Sequence, residues 1–127
     1  MVRHQKLPSR HFGTMQETAA IAFLQAQGLT LLQRNYQCKL GEIDLIMLDG
    51  EQLVFTEVRY RRNCAYGSPL ETVNYFKQRK LILCARHYLQ RHPLPPDGRC
   101  RFDVLGITAG RGGQAPACQW VKNAFSC

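Results

Sequence analysis

The chain has 127 residues, a length that supports one continuous hydrophobic core and a single domain. Its 17 Lys and Arg against 9 Asp and Glu leave a net charge of +8, which points to a polyanion such as nucleic acid as partner. No stretch approaches the ~20 apolar residues of a membrane span and residues 1–13 lack the apolar run of a signal peptide, so the expectation is a cytoplasmic protein with no membrane partner.

In chain order, residues 1–13 mix Arg3, His4, Lys6, Arg10 and His11 with Pro8 and Gly13, with no period that could bury a face. They predict a flexible basic arm ahead of a domain at 14–127. Thr14 followed by Glu17 has the form of a capping box, and the apolar stripe Ala19 to Ala26 then predicts a helix over Met15 to Gln27, stopped by Gly28. Leu29 to Tyr36 predicts a short strand, and the basic run Arg34 to Lys39 leads towards Gly41. Glu42 to Leu48 and Leu53 to Tyr60 are aliphatic, β-branched runs separated by Asp49-Gly50-Glu51-Gln52, which predicts a hairpin with a type II′ turn.

Ser68-Pro69-Leu70-Glu71 has the form of a second capping box, opening a helix expected to run to Arg91 before Pro93, Pro95 and Pro96 break it. Arg101 to Ile107 predicts a third core strand, Gly110, Gly112 and Gly113 a loop, and Gln119 to Phe125 a final strand. The six cysteines (Cys38, Cys64, Cys84, Cys100, Cys118, Cys127) are widely spaced with no C-x-x-C, so they are expected to be free thiols rather than a zinc or redox motif. The four histidines show no zinc spacing and are expected at the surface or on phosphates.

The hairpin carries the chemistry. If Asp49 pairs with Gln52, Asp44 faces Glu57, and Glu42 and Arg59 join the same row. Like charges directly opposite one another are destabilising, and these stand among Ile43, Leu45, Ile46, Val54, Phe55 and Val58. Two kinds of compensation suit them. A hard divalent cation takes one or two carboxylates together with a substrate phosphate. Alternatively, Arg59 and nearby lysines neutralise the carboxylates in a buried ion-pair network.

GEIDLI at 41–46 followed by LVFTEVRYR at 53–61 resembles the signature of the YraN-like family, which is similar to Holliday-junction resolvases and falls in the PD-(D/E)XK nuclease superfamily. The resemblance runs from about residue 13 to 125 and includes the helix with Glu17, RNY at 34–36, Lys77-Gln78-Arg79 and RFDV at 101–104. It implies an α/β, restriction-endonuclease-like mixed central sheet flanked by helices. It further implies that Asp44 and Glu57 bind Mg²⁺ or Mn²⁺, with Glu17 completing the site. Arg59 matches a position normally held by lysine, Arg61 matches a family arginine, and a resolvase-like role implies a homodimer.

Arginine at 59 keeps the charge of lysine but is planar, bulkier and never deprotonated, so it can clamp a phosphate but not accept a proton. Three readings therefore stand: a Mg²⁺-dependent DNA endonuclease using Asp44, Glu57 and Arg59, a nucleic-acid-binding protein of the same fold without turnover, and a basic protein-binding adaptor. Lys77 and Lys80 are candidates for a relocated cation, or else a solvated helix face. Arg34, Arg61 and Arg62, the last two beside Tyr60 and Tyr66, are candidate phosphate contacts, or else a solvated strand end. Asp103 is expected to be a structural partner for an arginine.

Overall fold

The computed structural model describes residues 7–61, 68–92, 99–108, 112–113 and 116–126, with side chains from residue 15 onward. Asp49 pairs with Gln52 around Gly50, whose φ of 63° with a negative φ at Glu51 is the type II′ geometry. From that turn, β2 (Gly41–Asp49) and β3 (Gln52–Arg61) form the expected antiparallel hairpin. β1 (Thr30–Cys38) lies antiparallel on the outer side of β2, and β4 (Cys100–Thr108) lies parallel to β3. β5 (Ala117–Phe125) closes the other edge, giving one mixed sheet in the order β1-β2-β3-β4-β5.

Two helices cover the sheet. α1 (Leu7–Ala26) buries Ala20, Ile21 and Leu24 against Leu45, Met47, Val54, Leu105 and Ile107. α2 (Tyr75–Arg91) buries Leu81, Ile82, Ala85 and Tyr88 against Ile43, Ile46, Leu53, Phe55, Phe102 and Val104. The two apolar groups share no residue and alternate along β3 as Leu53, Val54, Phe55, so they are opposite faces of one sheet. The expected α/β domain with a mixed sheet flanked by helices is therefore present.

Several boundaries differ from expectation. α1 opens at Leu7 rather than Met15, placing Thr14 and Glu17 inside the helix instead of at its cap. Pro8 falls in the opening turn, where its missing N–H has no partner to lose. The C-terminal end is as expected: Gly28, at φ 100°, lets Leu29 N–H reach the Leu24 carbonyl at 3.1 Å and Gly28 N–H reach the Gln25 carbonyl at 3.0 Å. The first strand, expected over Leu29 to Tyr36, runs from Thr30 to Cys38. Ser68 opens only a short 3₁₀ helix (Pro69–Thr72), and its hydroxyl takes Leu70 N–H. Asn74 is the residue that caps α2, accepting Lys77 N–H at 2.9 Å.

One irregularity matters for the site. Ile43 packs under α2 and Leu45 under α1, although residues two apart in a regular strand share a face. Their partners on β1 behave likewise: Tyr36, opposite Ile43, faces α2, and Arg34, opposite Leu45, reaches Glu17 on α1. Both strands change face at Asn35 and Asp44, and Asn35 does so with φ at 56°. Asparagine is among the residues that tolerate this left-handed conformation.

Candidate functional site

The hairpin ladder runs from Asp49 and Gln52 to Leu45 and Thr56 and stops there. β3 continues alongside β4, while β2 stays with β1, so the strands separate into a fork at Asp44 and Glu57. Val58 N–H, which has lost its strand partner, donates to Asp44 Oδ2 at 2.9 Å. The expected row of four charges is therefore only partly formed. Glu42 pairs with Gln37 on β1, and Arg59 with Gly106 on β4, because the fork ends the register that would have opposed them.

Asp44 and Glu57 stand at the fork, each one position beyond the last rung at Leu45 and Thr56, and Glu57 is buried. Burial first, and then the charge of Glu57, push the Asp44 carboxyl up to about 8, against the opposing pull of Val58 N–H; Glu17 adds a smaller push in the same direction. At neutral pH the Asp44 carboxyl is thus held in its protonated form. Glu57 Oε1 is buried with no N–H donor on it among the described residues. Glu57 Oε2 instead faces two cations, Arg59 Nη1 at 3.3 Å and Lys77 Nζ at 3.6 Å.

Each cation comes from a different element. Arg59, on β3, is steadied by Nε–H donation to Thr72 Oγ1 at 3.0 Å, and Thr72 in turn donates to the Pro69 carbonyl at 2.7 Å. This is the use of the 3₁₀ segment: it buttresses the guanidinium. Lys77 lies in the first turn of α2, on the opposite side of the fork from α1. Glu17, on α1, is held by Arg34 Nη2 at 3.3 Å and Asn35 Nδ2 at 3.1 Å. The fork is therefore approached by an acid from one helix layer and a base from the other.

The remaining predicted residues divide clearly. Arg34 is engaged with Glu17. Arg61 Nη2 donates to Gln119 Oε1 at 2.9 Å across the end of β5. Lys80 is exposed on α2 and packs beside Gly41 at the start of β2, away from the contacts of Glu57. Arg62 and Tyr66 lie outside the described residues, as do residues 1–6 of the arm expected at 1–13; residues 7–13 of that arm belong to α1. Among the described residues, no three His, Cys, Asp or Glu side chains converge as a ready-made cation cage, so the Asp44–Glu57 pair is a two-carboxylate arrangement with Glu17 nearby.

Asp103 has the structural role expected of it. It takes Arg101 Nε at 3.0 Å, Trp120 Nε1 at 2.9 Å and Asn123 N–H at 2.8 Å, while Arg101 Nη1 reaches back to Asp49 at 2.9 Å. Among the described residues Cys38, Cys84, Cys100 and Cys118 form no disulfide; Cys64 and Cys127 lie outside them. His87, expected at the surface or on a phosphate, is half-buried and a hydrogen-bond partner of the Tyr36 hydroxyl. No helix among the described residues is long and apolar enough to cross a membrane.

The profile of the uncharacterised protein family UPF0102 matches residues 16–107, a span that contains Glu17, Asp44, Glu57, Arg59 and Lys77. The UPF0102 protein of Nitrosococcus oceani is 50% identical over 116 residues, covering 91% of this chain and 92% of that protein. The UPF0102 protein of Stutzerimonas stutzeri is 49% identical over 117 residues, covering 92% and 96%. That of Alcanivorax borkumensis is 48% identical over 116 residues, covering 91% and 92%. Identity at this level along nearly the whole of both partners makes this chain a member of the UPF0102 family.

Proposed function

We propose that this chain binds DNA and hydrolyses its phosphodiester bonds with Mg²⁺ or Mn²⁺ held by Asp44 and Glu57. The observation that carries the reading is the pair itself: two carboxyls at a fork of the sheet, Asp44 beside the charge of Glu57, and Glu57 with a buried oxygen that has no hydrogen-bond partner among the described residues. Two carboxylates with an unsatisfied oxygen are the donor set a hard cation takes when a substrate phosphate supplies further ligands. Glu17 adds negative charge from α1. The bound cation supplies charge neutralisation and a more acidic water.

The chain's own residues do the rest. Lys77 brings a compact ammonium to the carboxylate pair, the position from which a donor can orient a nucleophile or stabilise charge developing on a phosphate. Arg59, fixed by Thr72, offers a planar donor for a non-bridging phosphate oxygen. The chemistry that arginine at 59 cannot perform is thereby available from α2. The net charge of +8 favours a phosphate backbone whatever its sequence. The mixed sheet with a helix layer on each face agrees with the restriction-endonuclease-like architecture that the GEIDLI and FTEVRYR segments resemble.

One observation favours a second reading, binding without turnover. Arg59 and Lys77 both neutralise Glu57 Oε2, so the protein supplies compensation of its own. Cleavage of labelled branched, single-stranded and linear DNA and RNA with Mg²⁺ or Mn²⁺ separates the two. Cleavage by the wild type that is lost in Asp44→Asn supports the nuclease. Binding without cleavage supports the second reading, and absence of both leaves the adaptor.

A further inference from the structure

We infer that Tyr75 and Phe76, at the start of α2, form a stacking platform for unpaired bases of the nucleic acid bound at the fork. The inference rests on the nucleic-acid reading above and adds to it a class of substrate: a strand with splayed or single-stranded nucleotides next to the cleavage point.

Tyr75 and Phe76 are the two most exposed large hydrophobic side chains among the described residues, at 66% and 76%. They touch each other edge to face with ring centroids 6.4 Å apart, and the helix is otherwise anchored by Leu81, Ile82, Ala85 and Tyr88 further along. The core therefore does not account for them. Single exposed apolar residues are ordinary, but two adjacent aromatic rings facing water mark a contact surface.

The charge around the rings identifies the occupant. On a helix, residues four apart lie one above the other, so Arg79 shares the face of Tyr75 and Lys80 shares that of Phe76. Both cations are exposed, and the first turn carries no acidic residue. Each ring thus has a cation about one helical turn, roughly 5.4 Å, along the same stripe. A base stacked on the ring and a phosphate on the cation satisfy both, which is the pattern of proteins that hold single strands. Lys77, the next residue after Phe76, points instead at Glu57 and joins the platform to the carboxylate fork. An apolar protein partner would gain nothing from the two flanking cations, whereas a duplex offers no unstacked base for the rings.

The test is fluorescence anisotropy in the presence of a chelator, with labelled single strands, blunt duplexes and duplexes carrying a single-stranded overhang. Proteins compared are the wild type, the Tyr75→Ala/Phe76→Ala double variant and Tyr75→Trp/Phe76→Trp. The expected result is a loss of roughly tenfold per ring on single strands and overhangs in the alanine variant, little change on blunt duplex, and retention with tryptophan. Cross-linking of a 5-iodouracil strand should map to Tyr75 or Phe76. Equal affinities of wild type and alanine variant on every substrate overturn the inference. So does a fall in self-association, measured by sedimentation, with nucleic-acid affinity unchanged, because the rings would then serve a second copy of the chain. In both cases the nuclease reading survives. Failure of the wild type to bind any nucleic acid overturns both. Unchanged thermal melting of the alanine variant, expected for exposed positions, confirms that the fold is intact.

Discussion

Asp44 Oδ2 accepts the backbone N–H of Val58 at 2.9 Å, immediately beyond the last rung of the β2–β3 ladder. The carboxyl thus replaces a strand carbonyl while standing beside Glu57, and its environment holds a proton on it up to about pH 8.

That proton makes a prediction for stability. With its carboxyl raised from 3.8 to about 8, the folded chain binds the proton more tightly than the unfolded chain between those values. The contribution is fully present below about pH 4 and is lost as pH rises through about 8. Asp44→Asn is neutral throughout and keeps an oxygen for Val58 N–H. In chelator, it should melt with the wild type at pH 4 and ~3–5 °C higher at pH 8.5, the shift that about 1 kcal/mol gives in a domain of this size. A parallel pair of melting curves across the range would contradict the assigned environment.

Lys77 and Lys80 should separate in kinetics. Lys77 Nζ reaches Glu57, whereas Lys80 stands beside Gly41. Single-turnover cleavage at saturating protein should fall about 10²-fold or more in Lys77→Ala, the scale of a lost positioned donor, and change little in Lys80→Ala. Equal losses would mean that both lysines act only through bulk charge.

Asp103 should carry stability rather than turnover. It is buried and accepts from Arg101, Trp120 and Asn123, so Asp103→Ala leaves Arg101 with Asp49 as its remaining carboxylate and three donors short of an acceptor, and should cost about 3 kcal/mol in urea unfolding. Trp120 fluorescence in the folded state should change with it, since its ring N–H loses its acceptor.

Gly106 tests the buttress of Arg59. A Cβ there would meet Pro69 Cγ at 2.5 Å and Cβ at 3.0 Å, so Gly106→Ala must push the 3₁₀ segment away. The expected cost is about 1–3 kcal/mol from overpacking, with a drop in cleavage because Thr72, which holds Arg59, moves with Pro69. Destabilisation without loss of cleavage would show that Arg59 needs no such support.

The hairpin is legible because Asp49-Gly50-Glu51-Gln52 fixes both a turn type and a register, and that register alone sets Asp44 opposite Glu57. β4 is equally plain as an aliphatic run, and Gly28 as a helix stop. Three features are not. The fork lies beside Asn35, whose positive φ a period-two pattern cannot express, so the register read from the turn carries Glu42 and Arg59 past the point where the strands part. Ser68 and Asn74 both offer side-chain caps, and only packing against the sheet decides that α2 starts at the second. The sequence offers Lys77 and Lys80 alike as a second cation, and that Lys77, 20 residues along the chain from Glu57, is the one that reaches it is a property of the β3–α2–β4 crossover rather than of any local motif.

The change of face at Asn35 and Asp44 has a consequence for how this family can vary. Without those two residues, Tyr36 and Arg34 on one strand and Ile43 and Leu45 on the other would become sequence neighbours and fall into regular alternation, each apolar residue already in its own layer. Neither hydrophobic layer requires the inserted pair. The proposed site draws on a detachable pair, so the architecture can outlive its loss, and a relative that has dropped both positions together is expected to retain the sheet and helices while abandoning the carboxylate fork.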